Sequence, residues 1–149
     1  MKEVDLYTDG ACSRKRGGAG GWSAILVYRD HERELSGSEP KTTHNRMELR
    51  AVIEGLRALE EPCRVSVYSD STYVVKAFKE DRLAGWERRG WKTVNRKPVL
   101  NQDLWEELLT QADLHEVTWS WVKGHDGDIY NERADALATA ACATISPPP

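Results

Sequence analysis

The chain has 149 residues, 40% of them hydrophobic and 30% charged, with a formal net charge of -3. That length fits one domain around one core, and the mixture of apolar and charged residues excludes a disordered or low-complexity chain. No apolar run approaches the ~18 residues of a membrane span, and the opening Met1-Lys2-Glu3-Val4-Asp5 carries acids where a signal peptide needs an apolar stretch, so the expectation is a cytoplasmic protein. Cys12, Cys63 and Cys142 are an odd count without metal-ligand spacing and read as reduced, mostly buried thiols.

Residues 4 to 8 alternate Val4, Leu6 and Thr8 with Asp5 and Tyr7, a strand expected to end at Asp9-Gly10. Gly17 to Gly21 read as a turn; they are no phosphate loop, since the Lys-Ser/Thr pair is missing and a strand follows where a helix is required. Residues 22 to 29 form a second, buried strand and 32 to 38 a third, more polar one. Residues 44 to 60 are helical, with Ala51, Val52, Gly55, Leu56 and Leu59 on one face and Pro62 as the stop. Residues 64 to 69 alternate Val65 and Val67 with Arg64, Ser66 and Tyr68, a strand closing at Asp70. Ser71 or Asp70 caps a helix running to about Lys79. Asn101 is read as the N-cap of a helix carrying Leu104, Trp105, Leu108 and Leu109. Residues 116 to 122 form the fifth strand, and a Gly-His loop at 123 to 128 leads into a last helix from about Asn131. Residues 145 to 149, ending in three prolines, are expected to be a disordered tail to a single domain at 1 to 144. Three strands joined by short turns are antiparallel, and later strands separated by helices lie parallel to the first. The fold class is therefore α/β, a mixed five-stranded sheet flanked by helices, with ligands expected at the carboxyl ends of the parallel strands.

Two features carry chemistry. Between the second and third long helices, residues 82 to 97 hold Arg82, Arg88, Arg89, Lys92, Arg96 and Lys97 against Glu87 alone, a local charge of +5 on a chain whose remainder sums to -8. Such a patch on an acidic protein points to a polyanionic partner. Trp86 and Trp91 stand among these cations as flat surfaces for a base or sugar, or as packing for the segment; packing is the expectation for Trp91. The second feature is a set of four acids at element boundaries: Asp9 and Asp70 at strand ends, Glu48 at a helix start, and Asp135 in line with Ala138 and Cys142 on the last helix. Phosphodiester cleavage needs charge neutralised on the scissile phosphate and on the attacking and leaving oxygens, and two Mg²⁺ ions about 4 Å apart supply this with a few carboxylate ligands. Taken singly, each acid is equally well a turn residue, a cap, a first-turn acid or an ion-pair partner.

The surroundings of these acids resemble the ribonuclease H family, specifically the bacterial type 1 enzymes. The matching stretches are TDGAC at 8 to 12, GGW at 20 to 22, TTHNRMEL at 42 to 49, YSDS at 68 to 71, RRGWKT at 88 to 93, KPVLNQDLW at 97 to 105, WVKGH at 121 to 125 and NERAD at 131 to 135. The resemblance spans residues 3 to about 143 and implies a ribonuclease H-like fold. It implies hydrolysis of the RNA strand of RNA–DNA hybrids, leaving 3′-hydroxyl and 5′-phosphate ends. It further implies Asp9, Glu48, Asp70 and Asp135 as ligands of two Mg²⁺ ions, with Mn²⁺ an alternative, and His125 as a loop histidine serving proton transfer or product release. By the same match Thr43 grips a DNA phosphate, His44 and Asn45 face the minor groove, Trp86 meets the DNA strand, and Arg88, Arg89 and Lys92 belong to the substrate-binding protrusion. The chain departs from the common pattern at Arg16-Gly17, where Asn-Pro is usual, and at His44, Arg82, Gly85 and Glu87, all of which bear on hybrid affinity. A monomer without an obligate protein partner, a separate hybrid-binding domain or membrane attachment is expected. The alternatives are a resolvase- or transposase-type nuclease of the same fold, a domain of a reverse transcriptase, or a non-catalytic hybrid binder; the basic Trp segment disfavours the first, and an acidic cluster facing phosphate disfavours the last.

Overall fold

A computed structural model describes residues 1–124 and 128–145. Five strands, β1 (Lys2–Ser13), β2 (Ala19–Tyr28), β3 (His31–Glu39), β4 (Cys63–Ser69) and β5 (Glu116–Trp121), form one sheet in the order β3-β2-β1-β4-β5. β1, β2 and β3 are antiparallel neighbours, whereas β4 is parallel to both β1 and β5. The helices are α1 (His44–Arg57), α2 (Thr72–Lys79), α3 (Arg82–Arg88), α4 (Gln102–Ala112) and α5 (Ile129–Ala143). The mixed sheet expected from the order of elements is the one observed.

Alternation decides the layers. Val4 and Leu6 of β1 and Val65 and Val67 of β4 point into a core with Val52, Leu56, Leu104, Trp105 and Leu108 from α1 and α4. The opposite face of β1 and β2 is covered by α5. There Tyr7 stacks on Tyr68 of β4 (4.9 Å between ring centres) and on Tyr130 of α5 (4.7 Å). No helix of the described residues is long and apolar enough to cross a membrane, and Cys12, Cys63 and Cys142 are free thiols.

Several boundaries differ from the sequence reading. β1 does not end at Asp9-Gly10: residues 9 to 13 continue it by pairing with Ser23 to Ala19 of β2. Only Gly17 and Gly18 of the glycine run turn, both with positive φ (71° and 83°), while Ala19, Gly20 and Gly21 are strand. α1 stops at Arg57, where Ala58 N–H donates to the Glu54 carbonyl and Leu59 N–H to the Leu56 carbonyl, each at 3.1 Å. The basic segment contains a further helix, α3, because Leu83 turns into the core and Trp86 packs edge-on against Trp105 at 5.3 Å. Ser71, and not Asp70, caps α2, its hydroxyl accepting from Val74 N–H. Asn101 occupies the N-cap position of α4 at φ 63°, yet its side chain does not cap. Its amide instead accepts from Arg46 (3.3 Å) and donates to the Tyr73 hydroxyl (3.0 Å). α5 begins at Ile129, earlier than Asn131, because Asp128 accepts from Asn131 N–H at 2.9 Å. Of the tail expected at 145–149, Ile145 is held to the body, its N–H donating to the Cys142 carbonyl at 3.3 Å and its carbonyl accepting from Arg16 at 3.2 Å, while 146–149 lie outside the described residues.

Candidate active site

The parallel ladder between β1 and β4 ends with Tyr7 opposite Tyr68. Two residues further along each chain stand Asp9 and Asp70, so the ladder carries both carboxylates to the same level, on the face that α5 covers. Asp9 is therefore at the carboxyl end of the parallel pairing although β1 itself runs on.

Glu48 arrives from the other layer. Thr43 caps α1, its hydroxyl accepting from Arg46 N–H at 3.2 Å. One turn later Glu48 turns its carboxylate onto β1, where Gly10 N–H donates to Oε1 at 3.2 Å. That approach requires glycine, since a Cβ at position 10 would stand 2.6 Å from Glu48 N and 2.7 Å from the Met47 carbonyl carbon. Glu48 is only 1% exposed. One carboxylate oxygen each from Asp9, Glu48 and Asp70 lie within 4.8 Å of one another. Asp135 on α5 is not one of these three grouped acids, but it lies near enough to Asp9 to act on its carboxyl. The turn before it is tied to the sheet by Ser23, whose hydroxyl donates to the Ala134 carbonyl at 2.6 Å.

Burial pushes the Asp9 carboxyl far above the usual carboxylate range, and the charges of Glu48, Asp70 and Asp135 push it further. Burial raises Glu48 as well; hydrogen bonds from His44 and Gly10 N–H oppose this, and the Asp70 charge adds to it. Such a cluster resists carrying its full negative charge without cations. Among the described residues Glu48 Oε2 is buried without a hydrogen-bond partner. A buried carboxylate oxygen in that state is costly. An all-oxygen donor set with one oxygen unsatisfied fits a hard divalent cation and not a soft one.

The remaining sequence candidates divide into several groups. His44, expected at the minor groove, places Nε2 3.2 Å from Glu48 Oε1, and this hydrogen bond raises its pKa. The i,i+4 spacing of His44 and Glu48 was readable in the sequence and is the signal that finds this contact. Thr43 is exposed and Asn45 half-buried at the start of α1, beside the acids. Arg88, Arg89 and Lys92 are exposed on the basic segment some residues beyond α2, with Arg89 Nε donating to the Lys92 carbonyl at 3.0 Å. Trp86 is half-buried between Trp91 and Trp105, so part of its surface packs the segment onto the body. His125 lies outside the described residues, and Gly124 is the last described residue before it. Sequence reasoning missed the Gly10 N–H and the linkage of Arg46 to Asp103 (2.7 and 2.9 Å) and Asn101, which ties α1 to the start of α4.

Comparison with known proteins follows the same residues. The family model described as RNase H matches residues 1–143. A ribonuclease H of Moorella thermoacetica is 57% identical over 145 residues, 97% of this chain and 95% of the relative. One from Ralstonia nicotianae is 59% identical over 138 residues, 93% and 90% of the two chains. Among solved structures, LC9-RNase H1, a type 1 RNase H with the type 2 active-site motif, superposes with a TM-score of 0.86 at 33% identity, covering 98% of this chain and 74% of that one. With the sheet order, the gathered acids and almost the whole sequence in agreement, the chain belongs to the ribonuclease H family.

Proposed function

We propose that this chain is an endoribonuclease that hydrolyses the RNA strand of RNA–DNA hybrids, leaving 3′-hydroxyl and 5′-phosphate ends. The observation that carries the reading is the meeting of Asp9, Glu48 and Asp70 within 4.8 Å, with the Asp135 charge felt at Asp9, in a chain of this family. Asp9, Glu48, Asp70 and Asp135 are the residues that would hold two Mg²⁺ ions, with Mn²⁺ the alternative. When bound, such ions neutralise the scissile phosphate and make an attacking water more acidic.

The chain's own residues do the rest. Gly10 N–H and His44 fix one oxygen of Glu48, and the other is buried without a hydrogen-bond partner among the described residues. Asp9 and Asp70, held level by the β1–β4 ladder, form the floor on which the phosphodiester is set in line. Thr43 accepts a hydrogen bond from its own helix, so its hydroxyl proton remains available to a DNA phosphate, at a helix N-terminus that favours anions. Asn45 reads the minor groove, where 2′-hydroxyls distinguish RNA from DNA. Arg88, Arg89 and Lys92 follow the backbone of the DNA strand, and the free side of Trp86 meets its sugars. His125 transfers a proton or speeds product release. The protein acts as a cytoplasmic monomer.

The test is a panel of matched RNA–DNA, RNA–RNA and DNA–DNA duplexes with Mg²⁺ or EDTA. The reading expects cleavage of the RNA in the hybrid only, lost with EDTA. Equal cutting of DNA duplexes, or cutting that survives EDTA, contradicts it.

A further inference from the structure

Trp121 is the last residue of β5 and lies directly across the parallel ladder from Ser69. Its indole Nε1–H donates to the main-chain carbonyl of Asp70 at 3.1 Å, and the next residue, Val122, donates its N–H to the Ser69 carbonyl at 2.9 Å. The end of β5 thus captures both carbonyls of the turn that presents Asp70. On the other side of that turn, Ser71 N–H donates to Ser69 Oγ at 3.0 Å, and Ser71 Oγ caps α2. The chain after Trp121 also returns to the acid itself: a Cβ on Gly124 would lie 2.9 Å from Asp70 Oδ2. Asp70 is consequently aimed by β5 and not by β4 alone.

The ring of Trp121 is nevertheless 50% exposed. Two residues earlier on the same face, Trp119 is half-buried and stacked on Phe78 at 3.8 Å. Trp121 has no aromatic partner among the described residues. Holding a carbonyl requires only a donor, so a wide indole surface left open one residue from a cluster acid is suited to a second contact, the sugar or base of a nucleic-acid strand.

We infer that Trp121 is a positioning residue for Asp70 and that its exposed face is the wall beside which the RNA strand rests at the cleavage point, an inference resting on the hybrid-hydrolase reading. Trp121→Phe keeps the ring and removes the donor; Trp121→Ala removes both. The measurements are kcat and KM on a labelled hybrid with Mg²⁺, Kd for the same hybrid in EDTA, and the melting temperature of each variant. Loss of one hydrogen bond predicts a kcat lowered about three- to tenfold for Trp121→Phe, with KM and Kd within about twofold of wild type. Loss of the stacking face predicts a Kd and KM raised about tenfold for Trp121→Ala, with kcat lowered as in the Phe variant. A Trp121→Phe variant with wild-type kcat, or a Trp121→Ala variant with wild-type Kd, overturns the inference. If Trp121→Ala does not fold, Trp121→Phe alone decides, since an unchanged kcat there is sufficient to refute it. Wild-type cleavage together with an inactive Asp70→Asn separates this failure from failure of the hybrid-hydrolase reading.

Discussion

Replacing Glu48 by Gln is expected to make the metal-free protein more stable and inactive at once. Gln keeps the oxygen that accepts from Gly10 N–H and His44, and sets an amide where Oε2 lies buried without a partner. At 4.8 Å, the span of the three acids, and an effective dielectric of about 20, two full carboxylate charges repel by about 3.5 kcal/mol. Partial protonation of the cluster already relieves some of this, leaving about 1–3 kcal/mol to be recovered. For a chain of this size that raises the melting temperature by about 2–12 °C. The sign in pH is fixed by the direction of the shifts. Asp9 and Glu48 are both raised in the folded state, so the folded protein holds protons that the unfolded chain releases. The stability this confers is complete below the ordinary carboxylate range and is lost as pH rises toward the folded values. The advantage of Glu48→Gln is therefore small near pH 4 and largest near pH 8. Thermal melting in EDTA across that range, with hybrid cleavage in Mg²⁺, makes the measurement. A Glu48→Gln protein less stable than wild type at pH 8 in EDTA refutes the reasoning.

Gly10→Ala forces its methyl against the backbone of Met47 and Glu48 and is expected to cost about 1–3 kcal/mol. A displacement of Glu48 of about 1 Å predicts a fall in kcat of about 100-fold, and a fall no larger than the loss of folded protein would contradict that. His115 accepts from Cys63 N–H through Nδ1 at 3.0 Å, and burial lowers its pKa, partly opposed by the Leu56 carbonyl. A lowered histidine contributes stability above its unfolded pKa that is lost as pH falls through the folded one. The difference in stability between wild type and His115→Ala should therefore shrink on acidification below neutrality; urea melts at several pH values show it, and a difference that grows would exclude it. Arg88→Ala with Lys92→Ala is expected to weaken hybrid binding and to lower the slope of log Kd against log salt by about two; an unchanged slope removes these residues from the phosphate-tracking role.

Much of the architecture lay in local pattern. The alternation in β1, β4 and β5 and the apolar face of α1 are period-two and period-3.6 signals, and the strand directions followed from which strands helices separate, whereas the order β3-β2-β1-β4-β5 came from the structure. The extension of β1 through Ser13 did not show, because its partner residues on β2 include the glycines that read as a turn. α3 was hidden since its anchors, Leu83 and Trp86, sit among charges and gain their packing from Trp105, nineteen or more residues away. Asn101 looked like a cap, but its amide is drawn to Arg46 and Tyr73, distant in sequence. The acids were readable one at a time; that a glycine N–H on β1 turns Glu48 onto Asp9 and Asp70 depends on a contact across 38 residues that no local spacing encodes.

The central claim, that these four acids make a hydrolase for the RNA of a hybrid, is tested most directly by single-turnover cleavage of a hybrid labelled at the RNA 5′ end. Wild type and Asp70→Asn are compared over a Mg²⁺ titration, with product ends identified. The account predicts Mg²⁺-dependent RNA cuts ending in 3′-hydroxyl and 5′-phosphate for wild type and none for Asp70→Asn. Cleavage by Asp70→Asn at the wild-type rate, or products with 2′,3′-cyclic phosphate ends, would contradict it.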